Sequence, residues 1–258
     1  MSDDGGQPGG GASVELGDRR GALTLSPREL EAHCREATVL VVKGGAPAVL
    51  AHRDSEGQPL ITKIWRRRAT WTSDLLRPYH GRFLRSLATL ERLGVPTPRY
   101  RAHGRVPGAG ARFVIYEALD GTPLRDLLGR GLDVDALARF VARLHEAGIY
   151  FRGLHLGNVI RLEDGRLGLI DVQDTRFFRR PLRWRFRERN LGILCSHPAD
   201  LEYMRDGHWC DLVMAYCRAI GASVADAGRM RERVRAQIER REARRARRRM
   251  REARALSQ

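Results

Sequence analysis

A chain of 258 residues with 42% hydrophobic content can hold one large domain or two lobes and fill a core. No run of about 18 apolar residues could span a bilayer, Met1-Ser2-Asp3-Asp4 lacks the basic and apolar start of a secretory signal, and the four cysteines (Cys34, Cys195, Cys210, Cys217) form neither a CxxC pair nor a zinc spacing. Reduced, buried thiols in a cytoplasmic protein are therefore expected. The net charge is +16, of which residues 229–258 carry +9 through 13 Arg against 4 Glu. That excess predicts attraction to anions (nucleic acid, anionic lipid or phosphorylated sugar) without choosing among them.

In chain order, residues 1–12 are Gly-rich and polar and are expected to be disordered, with the disordered N-terminal segment ending at residue 22. Thr38 to Val42, Ala48 to Leu50 and Leu60 to Trp65 form a strand meander, broken at Lys43-Gly44-Gly45 and Ser55-Glu56-Gly57. Gly44 and Gly45 sit where a phosphate-covering loop would be, but without a GxGxxG pattern they read as a hairpin turn. A helix follows over Arg77 to Leu93, with Phe83, Leu84, Leu87, Leu90 and Leu93 on one face and Gly94 as its stop. Arg112 to Tyr116 is a strand. Asp133 to Gly148 is helical, with Val134, Leu137, Phe140, Val141 and Leu144 on one face. Arg183 to Leu194, His208 to Ile220 and the Arg-rich tail are helical too.

Between the helices lies the most informative stretch. Phe151-Arg152-Gly153-Leu154-His155-Leu156-Gly157-Asn158 runs into a strand (Val159 to Leu162), a turn at Asp164-Gly165, a second strand (Leu167 to Ile170) and then Asp171. Such a hairpin brings the Asn158 amide oxygen close to the Asp171 carboxylate. Mg²⁺ on a nucleotide takes oxygen ligands of this kind, with phosphates and water completing the shell. The order of elements predicts an α+β, two-lobed, protein-kinase-like fold: a small strand-rich N-lobe at 23–118, a larger helical C-lobe at 119–228 and an Arg-rich helical tail at 229–258. The connector Tyr116-Glu117-Ala118-Leu119 would offer backbone groups to adenine. It is also compatible with an ordinary strand end.

Lysine usage adds to this. With 45 Arg and only Lys43 and Lys63, a retained Lys suggests a site that needs a compact ammonium. Lys63 lies in the third strand, where a kinase places the Lys that meets nucleotide phosphates. A surface Lys without a role is the alternative, and it is the preferred one for Lys43.

Taken together, Tyr150 to Asn158 and Gly165 to Asp171 resemble the bacterial lipopolysaccharide kinases, which phosphorylate Kdo and heptose of the inner core, within the protein-kinase-like phosphotransferases. The resemblance runs from about Leu40 to Gly221. It implies ATP and Mg²⁺ as cofactors, Lys63, Glu117 and Leu119 at the nucleotide, and Asn158 and Asp171 at the metal. It also implies an anionic, lipid-linked saccharide as acceptor and peripheral contact with the inner membrane. Two positions depart from the family. The Asp that orients the acceptor hydroxyl falls at Gly153, and the helical Glu that pairs with the strand Lys is replaced by Phe83 and Arg85. His155 and Asp174 are the candidate substitute bases, with a structural His as the alternative for the first. Restoring Asp at position 153 is expected to be neutral or mildly activating.

A pseudokinase and a basic nucleic-acid or membrane-surface protein are the other function classes. The tail has no aromatic residue for base stacking, so specific nucleic-acid recognition is not expected. Seven Arg between Arg176 and Arg189, interleaved with Phe177, Phe178, Trp184 and Phe186, suit an anionic acceptor or a membrane surface. An amphipathic helix with a solvated Arg face is the alternative.

Overall fold

The computed structural model describes residues 16–66 and 79–256. The expected disorder of residues 1–12, the first two residues of the helix from Arg77, and Asp74 lie outside them. The chain divides into two compact units, residues 1–92 with 97–119 and residues 93–96 with 120–258.

The first unit is a six-stranded sheet. Its strands are β1 (Gly21–Thr24), β2 (Thr38–Lys43), β3 (Ala46–Arg53), β4 (Pro59–Arg66), β5 (Arg99–Val106) and β6 (Ala111–Glu117), in the spatial order β1-β5-β6-β4-β3-β2. Only the β1–β5 pair is parallel. Strand alternation divides β4 cleanly. Leu60, Thr62 and Ile64 are buried on one face, where Leu50, Phe113, Ile115 and Leu30 of helix α1 (Pro27–Glu36) form the core. Lys63 and Trp65 occupy the other face, beside Phe83 of helix α2 (Tyr79–Arg92). At the β2–β3 turn Gly44 and Gly45 both have positive φ, the geometry of a two-residue hairpin.

Three elements here, β1, α1 and β5, were not expected. Leu16 is buried in the core and β1 begins at Gly21, so order starts before residue 22. Helix α1 opens with a capping box. Ser26 Oγ accepts from Glu29 N–H (3.2 Å), and Glu29 Oε2 accepts from Ser26 N–H (2.7 Å), with Pro27 in the first turn.

The second unit starts with β7 (Thr122–Pro123) and helix α3 (Val134–Glu146), followed by four short strands, β8 (Ile149–Phe151), β9 (Val159–Arg161), β10 (Leu167–Leu169) and β11 (Thr175–Phe177). β10, β9 and β7 form one small sheet, and β8 pairs with β11. Residues 93–96 belong here, since Leu169 N–H donates to Pro96 O (2.9 Å). Helices α4 (Trp184–Leu194), α5 (Trp209–Ala219) and α6 (Val224–Leu256) complete the unit, with α6 packed on α4 and α5. A boundary at 229 therefore falls inside a continuous helix. Ala227, Met230 and Val234 are buried, so the first part of the tail is core.

Each unit buries a neutral histidine. His33 and His52 both reach the Thr62 hydroxyl through Nε2 (3.0 and 2.9 Å). His145 bonds Tyr216 through Nδ1 and Asn190 through Nε2 (2.9 and 3.1 Å). Burial pushes His33 and His145 down from 6.5 to about 3. The unfolded chain therefore binds these protons more readily than the folded one. Stability should be complete above pH 6.5 and fall as pH drops through that value toward 3, by up to roughly 1.4 kcal/mol per pH unit per histidine. Denaturant titration across this range tests it, and His33→Gln or His145→Gln should flatten the slope.

Candidate functional site

The loop after β8 is held by three backbone bonds. Arg152 N–H donates to Asp174 O (3.2 Å), Asn158 N–H to His155 O (2.9 Å) and Ile170 N–H to Asn158 O (3.0 Å). The last extends the β9–β10 register, in which Val159 faces Leu169, by one step. Asn158 thus lies opposite Ile170, and Asp171 is the next residue along. The Asn158 Nδ2 donates to Gly153 O (2.9 Å). A carbonyl only accepts, so the amide's orientation is fixed and Oδ1 points away from that bond. Asp171 has φ of 56°, the one positive value at a non-glycine among the described residues. Holding a residue there costs about 1–3 kcal/mol and persists where the surroundings fix it, often at functional sites. An amide oxygen and a carboxylate are oxygen donors of the kind that Mg²⁺ prefers. Asp174, in the turn Val172–Asp174, is set beside Arg152 and hence beside Gly153.

Three residues that local sequence patterns did not mark organise this loop. Asp200 is 1% exposed, and its carboxylate accepts from Arg125 Nε (2.6 Å) and from Leu156 N–H (3.1 Å). Arg125 Nη2 also donates to Nδ1 of His155 (3.2 Å) and Nδ1 of His197 (3.1 Å), whose rings stack at 4.0 Å. Gly157 makes room for this guanidinium, because a Cβ there would lie 2.5 Å from Nη1. His155, His197 and Asp200 have potential metal-ligand atoms within 4.8 Å of one another. Arg125 already supplies the cation to all three, and a metal would have to displace it.

The same contacts correct the expectation for His155. A guanidinium can only donate, so Nδ1 accepts and the neutral ring carries its proton on Nε2. Burial, then the charges of His197 and Arg125, hold its pKa down at about 4. With one nitrogen engaged and the other protonated, the ring is a poor general base near neutral pH. His155 holds the loop through its bond to Arg125.

Gly153 itself is explained by packing. The Phe151 ring is fully buried, and a Cβ at 153 would lie 2.8 and 2.9 Å from it. The Phe151 carbonyl is fixed from below by a chain of side chains. Arg187 donates to Tyr216 (3.2 Å), Tyr216 to His145, His145 to Asn190, and Asn190 Nδ2 to Phe151 O (2.7 Å). Gly153→Asp, expected from sequence to be neutral or mildly activating for transfer, should destabilise the fold by about 1–3 kcal/mol through overpacking. Trimming the ring in a Phe151→Leu/Gly153→Asp double variant should recover part of that loss, as read by chemical denaturation. Equal stability of wild type and Gly153→Asp would contradict this packing.

In the first unit, Lys63 Nζ lies 5.5 Å from the Trp65 ring centre and 5.6 Å from that of Phe83. The strand Lys therefore shares the sheet face of Trp65 and meets the Phe83 ring of α2. Such contacts are worth about 0.5–2 kcal/mol. The Glu117 carboxylate is paired with Arg101 (2.5 Å), and Ala118 N–H is used by Pro59 O (3.3 Å). Leu119 is half-buried, past the last ladder residue, and ends the unit.

The profile of the phosphotransferase enzyme family (APH) matches residues 38–153. This is just under half of the chain. It takes in Lys63, Glu117 and Leu119 and stops before Asn158 and Asp171. No curated protein matches the chain. Among solved structures, an apo-form pseudokinase is similar at 15% identity and a TM-score of 0.40, with 85% of this chain and 90% of that chain covered. The family match supports a protein-kinase-like fold and a kinase-like phosphotransfer function for this chain.

Proposed function

We propose that the chain is an ATP- and Mg²⁺-dependent phosphotransferase. Its acceptor is a sugar hydroxyl on an anionic, lipid-linked saccharide of the lipopolysaccharide inner core or a related glycan. The observation that supports this most is the hairpin register, in which Asn158 lies opposite Ile170 and the left-handed Asp171 follows. These two residues would hold Mg²⁺, which when bound neutralises charge on nucleotide phosphates. Lys63 is the proposed phosphate-facing cation of the first unit, and Glu117 and Leu119 stand at its connector. Phosphoryl transfer depends mainly on positioning and electrostatics, and a general base typically adds about 10²–10⁴-fold. Asp174 is proposed to orient the acceptor hydroxyl in place of the missing Asp at Gly153.

An anionic acceptor is supported by the segment after β11. Arg179, Arg180, Arg183 and Arg185 line a cleft of about 370 Å³ together with Phe178 and Phe186. Guanidinium forks suit phosphate and carboxylate, and the rings offer an apolar face to a sugar or lipid. No helix among the described residues is long and apolar enough to cross a membrane, so contact with a lipid-linked acceptor is proposed as peripheral. One observation favours a second reading, a nucleotide-binding pseudokinase: the Phe151 ring fills the space that an acidic side chain at 153 would need.

Binding separates these from a purely basic surface. Isothermal titration with ATP should show Mg²⁺-dependent binding that Asp171→Ala abolishes with the fold intact and that Lys63→Met weakens. Binding unchanged in Asp171→Ala would overturn the metal assignment.

A further inference from the structure

The Arg-rich end of α6 has a structured face that its composition alone does not reveal. The face of buried Ala227, Met230 and Val234 continues along the helix through half-buried Gln237, Arg241 and Arg245. Gln237 packs so closely on α4 that a Cβ at Gly192 would lie 2.6 Å from its own Cβ. Beyond this contact, Arg240, Arg241, Arg244 and Arg245 join Arg189 of α4 around an open cleft of about 580 Å³.

Among the described residues, no carboxylate lines this cleft. Three acids of the helix form ion pairs with arginines outside the cleft: Glu239 with Arg235 (3.0 Å), Glu242 with Arg205 (3.1 Å) and Glu252 with Arg248 (2.7 Å). Glu188 of α4 pairs with Arg233 (3.3 Å). Arg241 Nε and Arg245 Nη1 are buried without a hydrogen-bond partner. Burial lowers both guanidinium pKa values. Arg189, Arg245 and Arg244 add to the effect at Arg241, where Tyr150 opposes it, and Arg249 adds to it at Arg245, where Glu242 opposes it. Convergent like charges and buried unpaired donors both destabilise a folded chain. A multiply charged oxyanion would reverse both effects at once.

We infer that the cleft formed by Arg189, Arg240, Arg241, Arg244 and Arg245 binds a phosphate-bearing anion. The helix end is then a ligand site, distinct from the hairpin site and independent of the proposed transfer reaction. Paired guanidiniums one helical turn apart match a phosphomonoester or diphosphate, which accepts several charge-assisted bonds. The same chemistry is found on a soluble phosphorylated sugar and on an anionic lipid headgroup.

The test uses the full chain and inorganic pyrophosphate as the probe. Pyrophosphate should raise the melting temperature and bind in a calorimetric titration. An Arg241→Gln/Arg245→Gln double variant should be at least as stable without the anion and bind it about tenfold more weakly or worse. An Arg247→Gln/Arg251→Gln variant, with the same charge change outside the cleft, should bind as wild type does. Arg189→Gln provides the same test from α4 should the double variant misfold. Failure of pyrophosphate to bind, retention of binding in the cleft variants, or an equal loss in the outside variant would overturn the inference. Flotation with phosphatidylcholine vesicles, with and without phosphatidic acid, then identifies the source. Capture that needs both phosphatidic acid and the cleft arginines supports a headgroup, and pyrophosphate binding without capture supports a soluble phosphate. Capture on phosphatidic acid by the double variant as strong as by wild type counts against the site.

Discussion

The ion pair between Arg125 and Asp200 is the constraint on which the candidate site depends. It joins a turn near the start of the second unit to one 75 residues later and, through Leu156 N–H and the two histidines, holds the loop between them. Asp200 is almost wholly buried, so its charge is tolerable only while Arg125 and the Leu156 amide satisfy it. Removing one partner of such a pair costs about 3–5 kcal/mol, chiefly through the buried charge left behind. From this anchor the loop runs to Asn158, and the β9–β10 hairpin carries the order on to Asp171. The network through Asn190 secures Phe151, the loop's opposite end.

The two departures from the kinase pattern share a physical character. At each, an aromatic ring packs close by. The Phe83 ring lies beside Lys63. Phe151 takes up the volume around position 153, and glycine is the residue that fits beside it. Asn158 and Asp171 stand at the ends of the β9–β10 hairpin, and the Asp174 carbonyl accepts from Arg152 N–H at the start of the loop.

Much of this was legible in the sequence, and the part that was not has definite causes. The strand meander, the helix carrying Phe83 and the β9–β10 hairpin each declare themselves within about twenty residues, through periodicity and turn chemistry. Strand β1 is only four residues long and gains its partner, β5, from a segment some 80 residues away. Helix α1 did carry a local sign, the Ser26-Pro27-Arg28-Glu29 capping box. Arg125, His197 and Asp200 carried none, since their meaning arises only when two distant turns meet. His155 was visible as a candidate base, but its tautomer is set by Arg125 and could not be read from spacing. The tail's composition announced charge. Its division into a buried stripe and an arginine-lined face follows from helical periodicity combined with the contact to α4.

Whether this arrangement still transfers phosphate is decided by one assay. Purified wild-type protein is incubated with γ-labelled ATP, Mg²⁺ and isolated lipopolysaccharide core, with Asp174→Asn run beside it. An active transferase using Asp174 labels the saccharide, and Asp174→Asn lowers the rate sharply while ATP affinity stays the same. Label that never leaves ATP, in protein that binds Mg²⁺ and nucleotide, would contradict the transferase and identify a pseudokinase.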